Sequence, residues 1–300
     1  MSLRRATGPK EPQNTMYPHQ AHSNQAHRSH ASAPPRAVYR PSQPSVPFGL
    51  SMLKPLHDRR SSPYIEKEHW PNLRISCQAL DIDSSASHGG EYFQLVPAQY
   101  MPAYAQQHNF HNVEDLGPYR ASSKFATASF WNDRLVSCLM APCNDTRLSD
   151  RLGWHGRLPD DFEKPKLWYY PKGDASFMTE FLLEPKAGSL PHFNCALTEN
   201  HLHKEDSLLF SEVWCIVMLT LLALRLPKNE KHNIVPITIV SFCDWQYRIV
   251  QGYVDGRNRV IKVWKSRIVR FNQEGKIRKD LSDILRWLLA KPIGDTTKAH

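Results

Sequence analysis

The stretch Leu208-Leu-Phe-Ser-Glu-Val-Trp-Cys-Ile-Val-Met-Leu-Thr-Leu-Leu-Ala-Leu-Arg-Leu226 decides the fold. Only Glu212 and Arg225 are charged within it. Its apolar residues exceed one helical stripe, which predicts a helix buried nearly all round. Asp206 or Ser207 is placed to cap its start. Pro227 stops it, because proline lacks the N–H and crowds the preceding turn. A membrane span competes with this reading. The uncharged run, residues 213–224, is too short for the roughly twenty residues that cross a bilayer. Glu212 and Arg225 fall inside any longer window, so a water-soluble core helix is expected and no membrane association.

Past a polar loop the pattern turns from helical to extended. Residues 237–243 are β-branched and almost wholly apolar, as in a strand buried on both faces. Residues 247–254 and 259–265 read as two more strands. Asp255-Gly256 between them signals a hairpin whose turn positions need φ > 0. Leu281, Ile284, Leu285 and Leu288 then recur at helical spacing and form one stripe, with Asp280 as cap and Pro292 and Gly294 as terminators. The expected fold is α+β. A three-stranded antiparallel sheet packs on a buried helix and a C-terminal amphipathic helix, over residues 201–300.

The chain before residue 201 divides in two. Residues 1–64 are rich in Pro, Ser, His and Gln with isolated apolar residues, which predicts a disordered, basic segment. Its histidines His19, His22, His27 and His30 read as part of a polar tail. Residues 65–200 read as an irregular, partly folded segment packing on the C-terminal domain. Within it, residues 130–139 have helical spacing, and 167–170 and 177–183 read as strands or short helices. Residues 159–164, Pro-Asp-Asp-Phe-Glu-Lys, imitate the acid–acid–lysine order of metal-dependent nucleases, but they are crowded into one turn. His201 and His203 sit beside Glu199, Glu205, Asp206 and Cys195, and His108 and His111 have helical spacing. Both groups read as polar surface and not as metal sites. No cofactor is expected, since no phosphate loop or nucleophile motif occurs.

Charge is unevenly spread. Residues 1–60 carry nine Lys or Arg against Glu11 and Asp58. Residues 245–279 carry ten against Asp255 and Glu274, while the stretch between is acidic. Such asymmetry favours an acidic partner, nucleic acid above all. None of the six cysteines forms a Cys-x-x-Cys pair, and the first twenty residues lack the apolar core of a signal peptide. An intracellular setting, cytoplasmic or nuclear, is expected.

On several of these residues the chain resembles the C-terminal region of uncharacterised filamentous-fungal proteins. The matching pieces are Ser211-Glu212-Val213, Pro236, Arg248-Ile249-Val250-Gln251, residues 266–271, Arg286-Trp287-Leu288, and Pro292-Ile293-Gly294-Asp295-Thr296. The resemblance implies a helix–strand–hairpin–helix domain behind a disordered leader, and no established activity. Some such proteins lie beside biosynthetic gene clusters, which makes an accessory role in such a pathway an alternative.

Two readings of the chemistry follow. In the first, the domain is a non-enzymatic interaction module that contacts nucleic acid. Arg248, Arg257, Arg259, Lys262, Lys265, Arg267 and Arg270 supply cations on or beside the hairpin, interleaved with Trp245, Tyr247, Tyr253 and Trp264. In the second, it is a divergent relative of restriction-endonuclease-like enzymes, with Glu212 as the first acid on the helix. The hairpin lacks that family's two acids and lysine, so activity should be weak or absent. Glu212 is otherwise a structural acid, paired with a base such as Arg248 or Arg286 or held at the helix start. Convergence of Glu212, Asp244 and Lys262 in one cleft would distinguish the readings.

Overall fold

The computed structural model describes residues 43–83, 91–101, 123–140, 142–143, 146–158, 169–170, 176–188, 190–270 and 277–297. The histidines at 19, 22, 27, 30, 108 and 111 and the acidic run 159–164 lie outside the described residues. The helices are α1 (Ser45–His57), α2 (Lys124–Met140), α3 (Leu148–Arg151), α4 (Phe210–Leu224) and α5 (Ile277–Leu288). The strands of the first half are β1 (Tyr64–Glu66), β2 (Ile75–Leu80), β3 (Phe93–Gln94), β4 (Pro142–Cys143), β5 (Thr146–Arg147), β6 (Trp154–Arg157) and β7 (Tyr169–Tyr170). Those of the second half are β8 (Phe177–Pro185), β9 (Phe193–Glu199), β10 (Ser207–Leu209), β11 (Ile237–Cys243), β12 (Gln246–Asp255), β13 (Val260–Ser266), β14 (Val269–Arg270) and β15 (Lys291–Pro292).

The protein is α+β, but the expected three-stranded antiparallel sheet is overturned. Strands β11, β12 and β13 are the middle of a nine-stranded mixed sheet ordered β2-β13-β12-β11-β9-β8-β6, with β14 against β12 and β7 against β8. The reason lies in β11 and β9. Every residue of both is buried, so each strand needs covered faces and neighbours on both edges. The segment 65–200 supplies the missing neighbours. Strand β9 runs parallel to β11, joined through α4, and β2 runs parallel to β13.

Helix α4 is buried nearly all round, with Met218 and Leu222 half-buried. It starts later than a cap at Asp206 or Ser207 would place it. Ser207–Leu209 is strand β10, antiparallel to β1. Glu212 takes over the capping role by accepting the Leu209 N–H at 2.8 Å. Helix α1 lies in the stretch read as disordered leader. It buries Val46, Phe48, Met52 and Leu56, and its core is shared with α4. That side of the sheet also presents Ile237, Ile239, Val250, Val254 and Ile261. On the opposite side α2 and α5 cover Val240, Phe242 and Ile249, with Trp131, Leu135, Ile284 and Leu288 in the core. No described helix is long and apolar enough to cross a membrane.

The β12–β13 connection shows why Gly256 is needed. The loop is longer than a two-residue turn, and Arg259 takes the left-handed conformation at φ 52°. Asp255 closes the loop by accepting the Asn258 main-chain N–H (3.1 Å) and side-chain Nδ2–H (2.8 Å). Gly256 itself does not need positive φ. Its N–H donates to Ser45 Oγ at 3.0 Å, and a Cβ there would stand 2.1 Å from the main chain of Pro44 and Ser45. Gly256→Ala is therefore expected to cost about 1–3 kcal/mol, because main chain cannot step aside as a flexible side chain can. Urea unfolding measures it, and a loss below about 0.5 kcal/mol would contradict this close approach.

Candidate functional site

The polar residues of the core gather where α4 begins. Arg248, on β12, points at α4 and is fully buried. Its Nε donates to Glu212 Oε1 at 2.7 Å and its Nη2 donates to Glu212 Oε2. Its Nη1 donates to the carbonyls of Lys204 (3.1 Å) and Ser207 (2.9 Å). The fork geometry of a guanidinium matches a carboxylate edge-on, so the pair is bidentate. Ser211 Oγ donates to Glu199 at the end of β9. Burial, with the Glu212 charge adding to it, holds the Glu199 carboxyl well above the usual carboxylate range. His203 Nε2 lies 3.0 Å from Ser241 Oγ. Burial, aided by the Arg248 charge, lowers the His203 pKa well below that of an exposed imidazole, so this ring is neutral at pH 7. The centre is sealed: Glu212 spends both oxygens on Arg248 and the helix start.

A second polar cluster lies on the other face of the sheet. Glu180, on β8, is nine-tenths buried. It accepts hydrogen bonds from Thr198 Oγ1 and, at 3.4 Å, from Ser129 Oγ of α2. Asn132 Nδ2 donates to Thr198 Oγ1 at 2.7 Å. No Lys or Arg pairs with Glu180 among the described residues. Burial raises its pKa from about 4.5 to about 7, and the neighbouring Asp133 pushes in the same direction.

The structure divides the seven candidate cations. Arg248 is the buried partner of Glu212 and is closed off from any ligand. Arg257 and Arg259 are exposed at the outer end of the β12–β13 hairpin, Arg259 with its guanidinium 5.7 Å from the Phe48 ring centroid. Lys262 stands over Tyr253 at 5.6 Å, on the side where Trp264 packs. Lys265 faces the opposite side, beside Cys77, and gives its ammonium to the Glu205 carbonyl. Arg267 makes a bidentate pair with Asp83 (3.0 and 3.2 Å). Arg270 is exposed at the far end of β12, where β14 pairs with it. Arg74, which periodicity did not single out, joins the outer end. It is exposed, and its carbonyl accepts the Ile261 N–H at 2.8 Å. Only the register of β2 on β13 could have found it. Among the described residues, no carboxylate pairs with Arg74, Arg257 or Arg259.

Glu212, Asp244 and Lys262 do not converge. Glu212 is on the α4 side of the sheet and Lys262 on the other. Asp244 sits in the β11–β12 turn at φ 54°, next to the Cys243–Gln246 pair, whereas Lys262 pairs with Tyr253. Seven residues of strand separate those positions, about 23 Å. Among the described residues no three His, Cys, Asp or Glu side chains are grouped to hold a metal ion. His201 and His203 form no such group.

The class of protein that emerges is an α+β body, a mixed sheet with helices on both faces and an ionic centre closed to solvent. No family model, curated protein or solved structure matches the chain.

Proposed function

We propose that this protein is a non-enzymatic binding module that contacts nucleic acid, in the cytoplasm or nucleus, through the outer end of the β12–β13 hairpin. One observation carries the reading. Arg74, Arg257 and Arg259 are exposed there, and among the described residues none of them pairs with a carboxylate. Cations of this kind release counterions from phosphates. Arg248, Lys265 and Arg267 take no part, because their donors are already engaged within the protein. A nuclease reading finds no support in the scatter of Glu212, Asp244 and Lys262.

Fluorescence anisotropy with labelled single-stranded and duplex DNA, titrated over roughly 50 to 200 mM salt, tests the proposal. Affinity is expected to fall steeply with salt. Arg257→Ala with Arg259→Ala is expected to reduce the salt slope by about two, one for each phosphate left unneutralised. No binding at the lowest salt, or an unchanged slope in the double variant, would refute it.

A further inference from the structure

The outer edge of β2 carries a second interaction site, independent of the hairpin. We infer that it accepts an extended, basic peptide from a partner protein as an added strand. Among the described residues strand β2 ends the sheet and pairs with β13 alone. The Ile261 N–H donates to the Arg74 carbonyl, which sets the phase of this parallel ladder. Ser76, Gln78 and Leu80 then turn their main-chain groups toward β13, and Cys77 and Ala79 turn theirs outward. Among the described residues nothing pairs with the outward groups of Cys77 and Ala79. Exposed edges are ordinarily guarded by charged residues, proline or a bulge. Ile75–Leu80, Ile-Ser-Cys-Gln-Ala-Leu, has none of these in its sequence or register. The opposite edge strand, β6, is guarded by His155 and by Arg157, which pairs with Glu184.

The chemistry of the occupant follows from the cleft along this edge. The cleft has a volume of about 450 Å³, and Trp70, Cys77 and Ala79 line it. Asp81, Asp83, Glu205 and Asp206 also line it. Its three cations are Lys67, Lys265 and Arg267, of which Arg267 is paired with Asp83. The acids outnumber the cations. A second copy docked about a two-fold axis would bring the same four acids face to face, which disfavours self-pairing. The same excess of acids disfavours a nucleic acid. An incoming strand with Lys or Arg at every second position places those side chains on the acidic side while its main chain completes the ladder.

The test uses the full chain and a fluorescein-labelled alternating Val-Lys peptide, with an alternating Val-Glu peptide as control. Saturable binding of Val-Lys that weakens with salt is expected, with Val-Glu weaker by about tenfold or more. Ala79→Pro removes an outward N–H and no ladder bond, so it should weaken Val-Lys by about tenfold while thermal unfolding stays unchanged. Asp206→Lys should weaken Val-Lys and spare the control, a readout that survives if the proline variant misfolds. Equal affinity for the two peptides, no binding of either, or full affinity in both variants would overturn the proposal. So would a dimer seen by light scattering that Ala79→Pro dissolves, since a second copy would then be the occupant.

Discussion

Glu212→Ala is expected to destabilise the protein by about 3–5 kcal/mol, because it leaves a buried guanidinium without its counter-charge. Arg248 keeps its bonds to the Lys204 and Ser207 carbonyls, but Nε and Nη2 lose theirs. The start of α4 also loses the acceptor for the Leu209 N–H. Whole domains are stable by only about 5–15 kcal/mol, so the single change consumes a large share of that margin. Removing both charges together is expected to be far milder. Glu212→Leu with Arg248→Met should recover most of the loss, since packed apolar side chains avoid the desolvation penalty. Urea unfolding followed by tryptophan fluorescence measures both variants. A cost below about 1 kcal/mol for Glu212→Ala would mean that water reaches the pair and that the centre is not sealed.

The second large effect is a pH dependence. Glu180 has a folded-state pKa of about 7 against an ordinary value of 4.5. Its folded form therefore binds more protons than the unfolded chain between those two values. Stability contributed by this group is fully present below about 4.5 and falls as pH rises toward 7. The difference amounts to about 3 kcal/mol by pH 8, taking ~1.4 kcal/mol per pKa unit. Glu180→Gln keeps an acceptor for Thr198 and Ser129 and has no charge to bury. The variant should match the wild type near pH 4.5 and exceed it by about 3 kcal/mol at pH 8. His192 works the opposite way. Burial lowers its pKa from 6.5 to about 4, so its contribution is lost as pH falls through that range. The comparison of variant with wild type cancels this common part. A gap that does not widen with pH would show that Glu180 is ionised in the folded protein.

The sequence by itself determined the elements whose signals are local. Helix α4, strands β11 to β13 and the stripe of Leu281, Ile284, Leu285 and Leu288 in α5 are all written in apolar period and punctuation, and the structure has each of them. The β-branched, almost wholly apolar run 237–243 also carried the requirement that both faces be covered. What it could not carry was which strands lie beside β11 and β13. Those neighbours are β9 and β2, and β2 is more than 180 residues from β13 in the chain. Its own pattern, Ile-Ser-Cys-Gln-Ala-Leu, is short and weakly periodic. The candidate site divided along the same line. Residue type identified the cations around the hairpin. Only tertiary structure buried Arg248 against Glu212, tied Arg267 to Asp83, turned Lys262 and Lys265 to opposite faces and brought Arg74 to the outer end. Partner choice and burial depend on long-range pairing, and a charge has the same letter in the sequence whether it meets solvent or a buried carboxylate.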